Sequence, residues 1–582
     1  MRSLAIGSIL CVLLAAGPGN ASGAGDGAAT ETSTKPVRAA EGPNGTSAEE
    51  NKPLPAEMAS EIAVLKQMLE QQASEYEAQR AVNVELQNRL AALESEFTNL
   101  RAPAAAPMTT PALTSATGPT DQPAAAEQKK TGGNNDESPL FFKIGRANFT
   151  PGGFLDLTTV FRTKTVGSGI GTTFGTIPYN VAASYPAAGL SELRMSEQNS
   201  RISLKVDSEV GSAKVFGYME TDFLGNNATT MDVTSNSATL RLRLAFADVT
   251  MGKWELLGGQ GWSLMTPNRK GLSPMTNDVF YSLDSDTNYQ LGVVWARQPE
   301  LRVVYHPGNS WALGFSAENP QQFIGSALTV PSGFTSAQAD TNGAAWGANT
   351  NTPNLHPDLI AKAAYDTKLG GRAFHLEAAG IYRTFKINTF TAATNTAAEV
   401  NVNSLASGFG GSFNANLELF KNFHLIENAF WSDGGGRYVF GQAPDFVVRP
   451  LNAAGVYTIS PVHSGSGLLG FEWQAFPKVI LYGYYSGIYA SRNYFPVAPG
   501  TSCGALGECG FGFPGSTSAT NRDIQEATIG IGRTFWNSPT LGKFVIFAQA
   551  SYLTRNPWSV AKGTPDDANL TMGFLTMRYI LP

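Results

Sequence analysis

Five histidines, His306, His356, His375, His424 and His463, are scattered singly, with no HExxH pair and no Cys/His cluster. Neither a metalloprotease helix nor a zinc site is spelled out. A hydrolase set in a membrane wall needs a Ser/His pair aimed at one point. No spacing here offers one, so the chain reads as a non-enzyme with no cofactor and no metal. Gly465-Ser466-Gly467-Leu468-Leu469-Gly470 matches GxGxxG, but it opens an alternating strand and not a helix, which removes the dinucleotide reading. Cys503 and Cys509 lie together in the Gly-rich run TSCGALGECGFGFPG, where a short-loop disulfide is the expected state in an oxidising compartment. The chemistry that remains is charge. Arg201 and Lys205 alternate with Ile202, Leu204 and Val206, while Arg241 and Arg243 alternate with Leu240, Leu242, Leu244 and Phe246. Lys214, Glu220 and Asp222 share the polar side of the segment between. Such a face either attracts anions or pairs internally to brace a wall.

The elements that carry these residues have a period of two. One side of each segment is apolar and the other holds full charges, as again in 374–383, where Phe374, Leu376, Ala378 and Tyr382 alternate with His375, Glu377 and Arg383. Connections alternate in length. Short turns fall near Gly211-Ser212, Gly252-Lys253, Pro307–Ser310, Gly370-Gly371, Lys421-Asn422, Pro477-Lys478 and Asn537–Gly542. Between them lie long stretches, roughly 163–197, 224–237, 263–288, 319–356, 387–405, 433–463, 491–521 and 555–567. Seven short turns and eight long loops imply sixteen strands with both ends on the short-turn side, which is the pattern of a transmembrane antiparallel β-barrel. A barrel of this strand number leaves an aqueous lumen. Tyr482, Tyr484, Tyr485, Tyr489, Trp536, Trp558 and Tyr579 are candidates for the interfacial aromatic girdles.

Composition agrees with that reading. The 582 residues include 61 Gly, 33 Phe, 18 Tyr and 9 Trp, and only 15% are charged. A net charge of −6 with no basic patch argues against nucleic acid as partner. Residues 1–137 hold 10 basic and 17 acidic residues, whereas 138–582 hold 31 and 30, so the acidity belongs to the N-terminal part.

That part divides into four. Arg2, the apolar stretch Leu4–Ala16 and small residues beyond it read as an export signal over 1–21. Residues 22–56 are polar and expected to be disordered. Residues 57–101 contain no Pro or Gly and hold a heptad register. Ile62, Leu69, Tyr76, Asn83, Leu90 and Phe97 occupy a, and Leu65, Gln72, Gln79, Leu86, Leu93 and Leu100 occupy d, which predicts an α-helical coiled coil. Residues 102–137 form a Pro/Ala/Thr linker, and 138–582 form the barrel.

The runs NSRISLKVDSEVGSAKVFGYMETDF (199–223), ATLRLRLAFADV (238–249) and WELLGGQGWSLMTP (254–267) resemble the DcaP-like porins. The resemblance implies an N-terminal coiled coil in the periplasm ahead of a sixteen-stranded barrel in the Gram-negative outer membrane, assembled as a homotrimer. It further implies that Arg201, Arg241 and Arg243 line the lumen and that the loop after Trp262 folds inward and narrows the pore. Arg269 and Lys270 in that loop would then face the arginines and complete an electropositive constriction. The implied function is passive diffusion of small polar solutes, with anions or carboxylates preferred and outer-membrane lipid outside. The competing reading is a structural tether or adhesin, in which the coiled coil grips peptidoglycan or a periplasmic protein and the barrel only anchors it.

Overall fold

The computed structural model describes residues 139–582 apart from 180–185, 226–237, 325–327, 332, 335–353, 394–397, 441, 498–506, 517–519 and 561–564. The export signal, heptad segment and linker lie outside the described residues. So does Cys503, while Cys509 is buried and disulfide-bonded.

Sixteen antiparallel strands form the wall. They are β1 (Ala147–Arg162), β2 (Arg201–Val210), β3 (Ala213–Asp222), β4 (Arg241–Met251), β5 (Trp254–Trp262), β6 (Arg297–Tyr305), β7 (Trp311–Glu318) and β8 (Asp358–Leu369). The second half comprises β9 (Arg372–Thr391), β10 (Val400–Phe420), β11 (Phe423–Asp433), β12 (His463–Phe476), β13 (Val479–Ala490), β14 (Asn521–Ser538), β15 (Gly542–Pro557) and β16 (Ala568–Ile580). Each pairs with its neighbours in chain order, and β16 pairs with β1 from Met572↔Arg162 to Ile580↔Phe154, closing the ring. Closure leaves no unpaired edge, the condition for strands to exist in lipid. The seam is bound by side chains as well, with Arg578 Nε donating to Asp156 Oδ2 at 2.8 Å.

Seven short turns and eight longer connections alternate as the sequence predicted, although several boundaries move. β9 and β10 run on through Thr391 and from Val400, leaving only 392–399 as loop, and β15 reaches Pro557. The loop after β5 continues to residue 296. Within the first long stretch, Glu192–Ser196 extends the line of β2 along β1, with Thr158↔Ser196 through Arg162↔Glu192 paired. Residues 197–200 turn out of this ladder, the N–H of Ser200 donating to the carbonyl of Glu197 at 2.8 Å. The N–H of Asp156, freed by the break, donates instead to the Ser200 hydroxyl at 2.9 Å.

Alternation decides the two faces. Leu155, Ile202, Leu256, Leu301, Phe315, Leu469, Ile529 and Leu575 are exposed on the outside, while Thr158, Glu220, Arg302, Glu377, Asn428, Glu526 and Thr576 are buried within. Exposed apolar side chains around a closed ring whose polar groups point inward are a lipid-facing surface. The chain is a transmembrane β-barrel.

Two expectations are corrected by parity. Leu240 and Leu242 face outward, but Leu244 and Phe246 are buried inside. The ladder between β3 and β4 slips between Glu220 and Thr221, a β-bulge that admits Arg243 and Leu244 on the same face. Tyr482 and Tyr484 are not girdle residues. They lie on the inner face of β13, while Tyr485 and Tyr489 are exposed outside.

The lumen is far from empty. Val166, Ile170, Phe174 and Ile177 from the first long loop pack with Leu264, Met265, Leu272, Leu291 and Val294 from the loop after β5. Tyr438, Val439 and Val447 from the loop after β11 join them, against inward wall residues such as Val160, Ile360, Phe430 and Ile524. The loops thus bury an apolar core of their own inside the ring, and the open space is what this packing leaves.

Candidate functional site

The bulge on β4 sets the geometry of the charged cluster. Arg243 Nε donates to Glu220 Oε1 at 2.6 Å and its Nη1 to Asp222 Oδ2 at 2.8 Å. Arg241 takes Asp222 from the other side through Nε and Nη2, at 3.0 and 2.7 Å. On β2, Arg201 Nη1 lies 3.8 Å from Glu220 Oε1, and its guanidinium rests 5.1 Å from the Phe154 ring centroid. Arg297, at the loop end of β6, rests 5.2 Å from the Trp262 ring centroid, and its buried Nη1 has no hydrogen-bond partner among the described residues. Three guanidiniums therefore share two carboxylates with a fourth, Arg297, beside them, and the cluster keeps a positive balance. A buried pair with matched geometry holds its position, and here the two acids hold Arg241 and Arg243 while leaving charge over.

The loop 263–296 lies across the lumen and is fastened to the wall by inward-facing carboxylates. The N–H of Leu264 donates to Glu318 on β7 at 2.8 Å, that of Asn268 to Glu377 on β9 at 3.1 Å, and that of Gly271 to Asp366 on β8 at 2.9 Å. Thr276 Oγ donates to Glu220 on β3 at 3.1 Å, and the N–H of Leu291 to Glu526 on β14 at 2.9 Å. Backbone amides drawn out of water must find acceptors, and these charged acceptors fix the loop from several sides at once. Lys362, buried on β8, ties the carbonyl of Thr266 at 2.9 Å to Glu377 at 2.8 Å.

Arg269 and Lys270 do not face the arginine cluster, contrary to expectation. Arg269 pairs with Glu472 on β12 at 3.1 Å and stacks 4.3 Å from the Phe280 centroid, eight strands round the ring from β4, and Lys270 is exposed. The parts of the loop that reach the cluster are Thr276, at Glu220, and Tyr281–Tyr289. Tyr289 Oη lies 2.9 Å from Arg243 Nη2 and 3.5 Å from Arg201 Nη2. Of the remaining candidates, Lys205 pairs with Asp207 at 3.2 Å, and Lys214 is exposed at the turn end of β3.

Two cavities meet at this point. One, of about 300 Å³, is lined by Arg241, Arg243, Arg297 and Trp295 with Gly169 and Gly171 of the first long loop. The other, of about 130 Å³, is lined by Arg201, Asp284, Asp286, Thr576 and Arg578. Thr287 and Tyr289 belong to both linings. The break at 197–200 contributes too, placing Gln198 in the larger cavity and Asn199 in the smaller. Loop groups here are moved away from their usual ranges. Burial and then the charge of Asp286 push Asp284 up to about 7. Burial works against ionisation of the Tyr289 phenol, yet Arg243, Arg201 and Arg297 hold it down to about 8.

Tyr289 and Arg297 were not legible as candidates. Alternation along Gln298, Glu300 and Arg302 assigns Arg297 to the lipid side, and only its place beside Trp262 at the strand end turns it inward. An inert anchor could pack its lumen with apolar residues. The inner face instead holds buried Arg302, Glu300, Lys362, Glu377 and Arg383, alongside the apolar loop core.

No protein-family model matches the chain, and no curated protein matches it. Among solved structures the chain is similar to the outer membrane channel DcaP of Acinetobacter baumannii. The identity is 17% over 75% of this chain and 97% of that one, with a TM-score of 0.48. It is also similar to an anion-selective porin from Comamonas acidovorans, at 12% identity, 75% and 99% coverage and a TM-score of 0.41. OmpF of Salmonella typhi in complex with daunomycin follows at 10%, 76% and 100%, and 0.39.

Proposed function

We propose that the protein is an outer-membrane porin through which small polar solutes diffuse passively, with anions, carboxylates among them, preferred over cations. The observation that carries this reading is the surplus of guanidinium over carboxylate around the larger cavity, whose charged lining is Arg241, Arg243 and Arg297. Fixed charge in a narrow, low-dielectric passage concentrates the opposite ion. Arg297 argues in the same direction, because a buried guanidinium with a free donor beside a cavity is costly unless something anionic visits it. The apolar loop core makes the passage narrow, so permeation is restricted to small solutes. In this reading the barrels assemble as a homotrimer, and 57–101 forms a coiled coil in the periplasm that reaches peptidoglycan or a periplasmic protein. Cys503 is the partner of Cys509 and staples an outer loop.

Single-channel recording in a planar bilayer under a potassium chloride gradient tests the central claim. A reversal potential of the chloride sign is expected. A cation-selective or non-conducting barrel overturns it. Sedimentation of the isolated 57–101 segment tests the assembly, where a helical oligomer is expected and a monomeric, unfolded peptide overturns it.

A further inference from the structure

Resting on the anion-porin reading, we propose that Tyr289 is the selectivity gate of this channel: its phenol oxygen occupies the anion position of the arginine cluster, and a permeating anion passes by taking that position. Three observations place it there. The phenol oxygen is within 2.9 Å of Arg243 Nη2 and 3.5 Å of Arg201 Nη2, where a carboxylate or halide would sit. Its residue borders both cavities, so the ring is the partition between them. Its backbone has φ of +60°, a left-handed conformation that a bulky residue adopts only when its surroundings impose it.

The surroundings also define the ring's position. Tyr289 stacks on Tyr281 at 4.6 Å and meets Trp295 edge-on at 5.2 Å, contacts that keep the ring in the plane of the partition. Its N–H donates to the carbonyl of Asp286 at 3.0 Å, tying the backbone into the loop's own turn. The aromatic contacts fix the ring's orientation but are weaker than charge-assisted hydrogen bonds. The phenol–guanidinium contacts are therefore what an anion has to replace, and an anion replaces them with stronger ones. The hydroxyl thus serves as a weak internal competitor that covers the guanidiniums when the channel is empty.

Ionisation changes its strength. The groups around the phenol are Arg201 from β2, Arg241 and Arg243 from β4, Arg297 from β6, the acids Glu220 and Asp222 from β3, and Tyr281 from its own loop, whose acids Asp284 and Asp286 line the smaller cavity beside it. A phenolate lowers the positive charge of the cluster by one and becomes a competitor that a monovalent anion no longer displaces. Because the phenol is held down to about 8, this happens within reach of ordinary buffers. Asp284, pushed up to about 7, is largely ionised before that point, and burial pushes Tyr281 up and out of the range.

The experiment is the chloride-to-potassium permeability ratio of the purified full-length protein, measured from about pH 7.5 to about pH 10. The wild type is expected to lose anion preference by about threefold as the phenol ionises and offsets part of the cluster's positive charge. Tyr289→Phe keeps the stacked ring, so it is expected to show a flat profile and a higher chloride conductance at the low end. Tyr281→Phe removes a hydroxyl that has no hydrogen-bond partner among the described residues and is expected to keep the wild-type profile. A decline that persists in Tyr289→Phe, or one abolished equally by Tyr281→Phe, overturns the gate. A wild type that is cation-selective at every pH overturns the porin reading itself, whereas identical anion-selective profiles in wild type and Tyr289→Phe overturn only the gate.

Discussion

The backbone N–H of Leu291, in the loop after β5, donates at 2.9 Å to the carboxylate of Glu526 on β14, 235 residues further along the chain. The constriction is thus held by wall strands that have no sequence proximity to it. Removing such an acceptor leaves a buried N–H unsatisfied, at about 1–3 kcal/mol. Glu526→Ala is expected to detach this end of the loop and give a larger, noisier single-channel conductance with the barrel still formed. Conductance and noise indistinguishable from wild type would show that the anchor is dispensable.

Arg297 and the pair Arg241/Arg243 separate charge from structure. Arg297 pairs with no carboxylate among the described residues, so Arg297→Ala is expected to reduce the chloride-to-potassium ratio with little loss of heat stability. Arg241→Ala/Arg243→Ala strips Glu220 and Asp222 of their closest partners, and leaving buried charge uncompensated costs about 3–5 kcal/mol. That double variant is expected to lose selectivity and also to unfold at lower temperature, read by heat-dependent gel mobility. An equal loss of stability in both variants would refute this division of roles.

Asp284 supplies a pH dependence. Its folded value of about 7 stands above the ordinary 3.8, so protonation favours the folded loop. The sign follows from linkage: the contribution is present in full below the ordinary value and is lost as pH rises through about 7. Thermal midpoints of the barrel should fall between about pH 4 and about pH 8, and Asp284→Asn should flatten that fall and raise the midpoint at the alkaline end. A fall of the same size in Asp284→Asn would assign it to other carboxylates.

The barrel was legible because its signal is repeated. Alternation and turn spacing recur in every hairpin, so errors at single boundaries, such as 387–405, leave the count of strands intact. The site was legible only in part. Arg201, Arg241, Arg243, Glu220 and Asp222 obey strand parity and do come together. Leu244 and Phe246 defeat parity because a bulge adds one residue to β4, and nothing in the run LRLRLAF marks where. Tyr289 and Arg297 were hidden for a different reason. Their positions depend on where a long loop is tied down, and the ties are single carboxylates on distant strands, each an ordinary acid when read alone.

The salt bridge between Asp156 and Arg578 has a consequence for the order of events during biogenesis. It joins residues 422 apart in the chain, on the first and last strands, and it forms only when the ring shuts. The acceptors that seat the constriction loop sit on strands up to β15, where Gln549 takes the N–H of Ser285 at 2.9 Å. A partly threaded barrel therefore has its filter sequence already made but no fully assembled cradle to receive it. On the proposed porin reading, selectivity is then the last property to be acquired, and an insertion intermediate with an open seam is a leak whose lifetime the cell has reason to keep short.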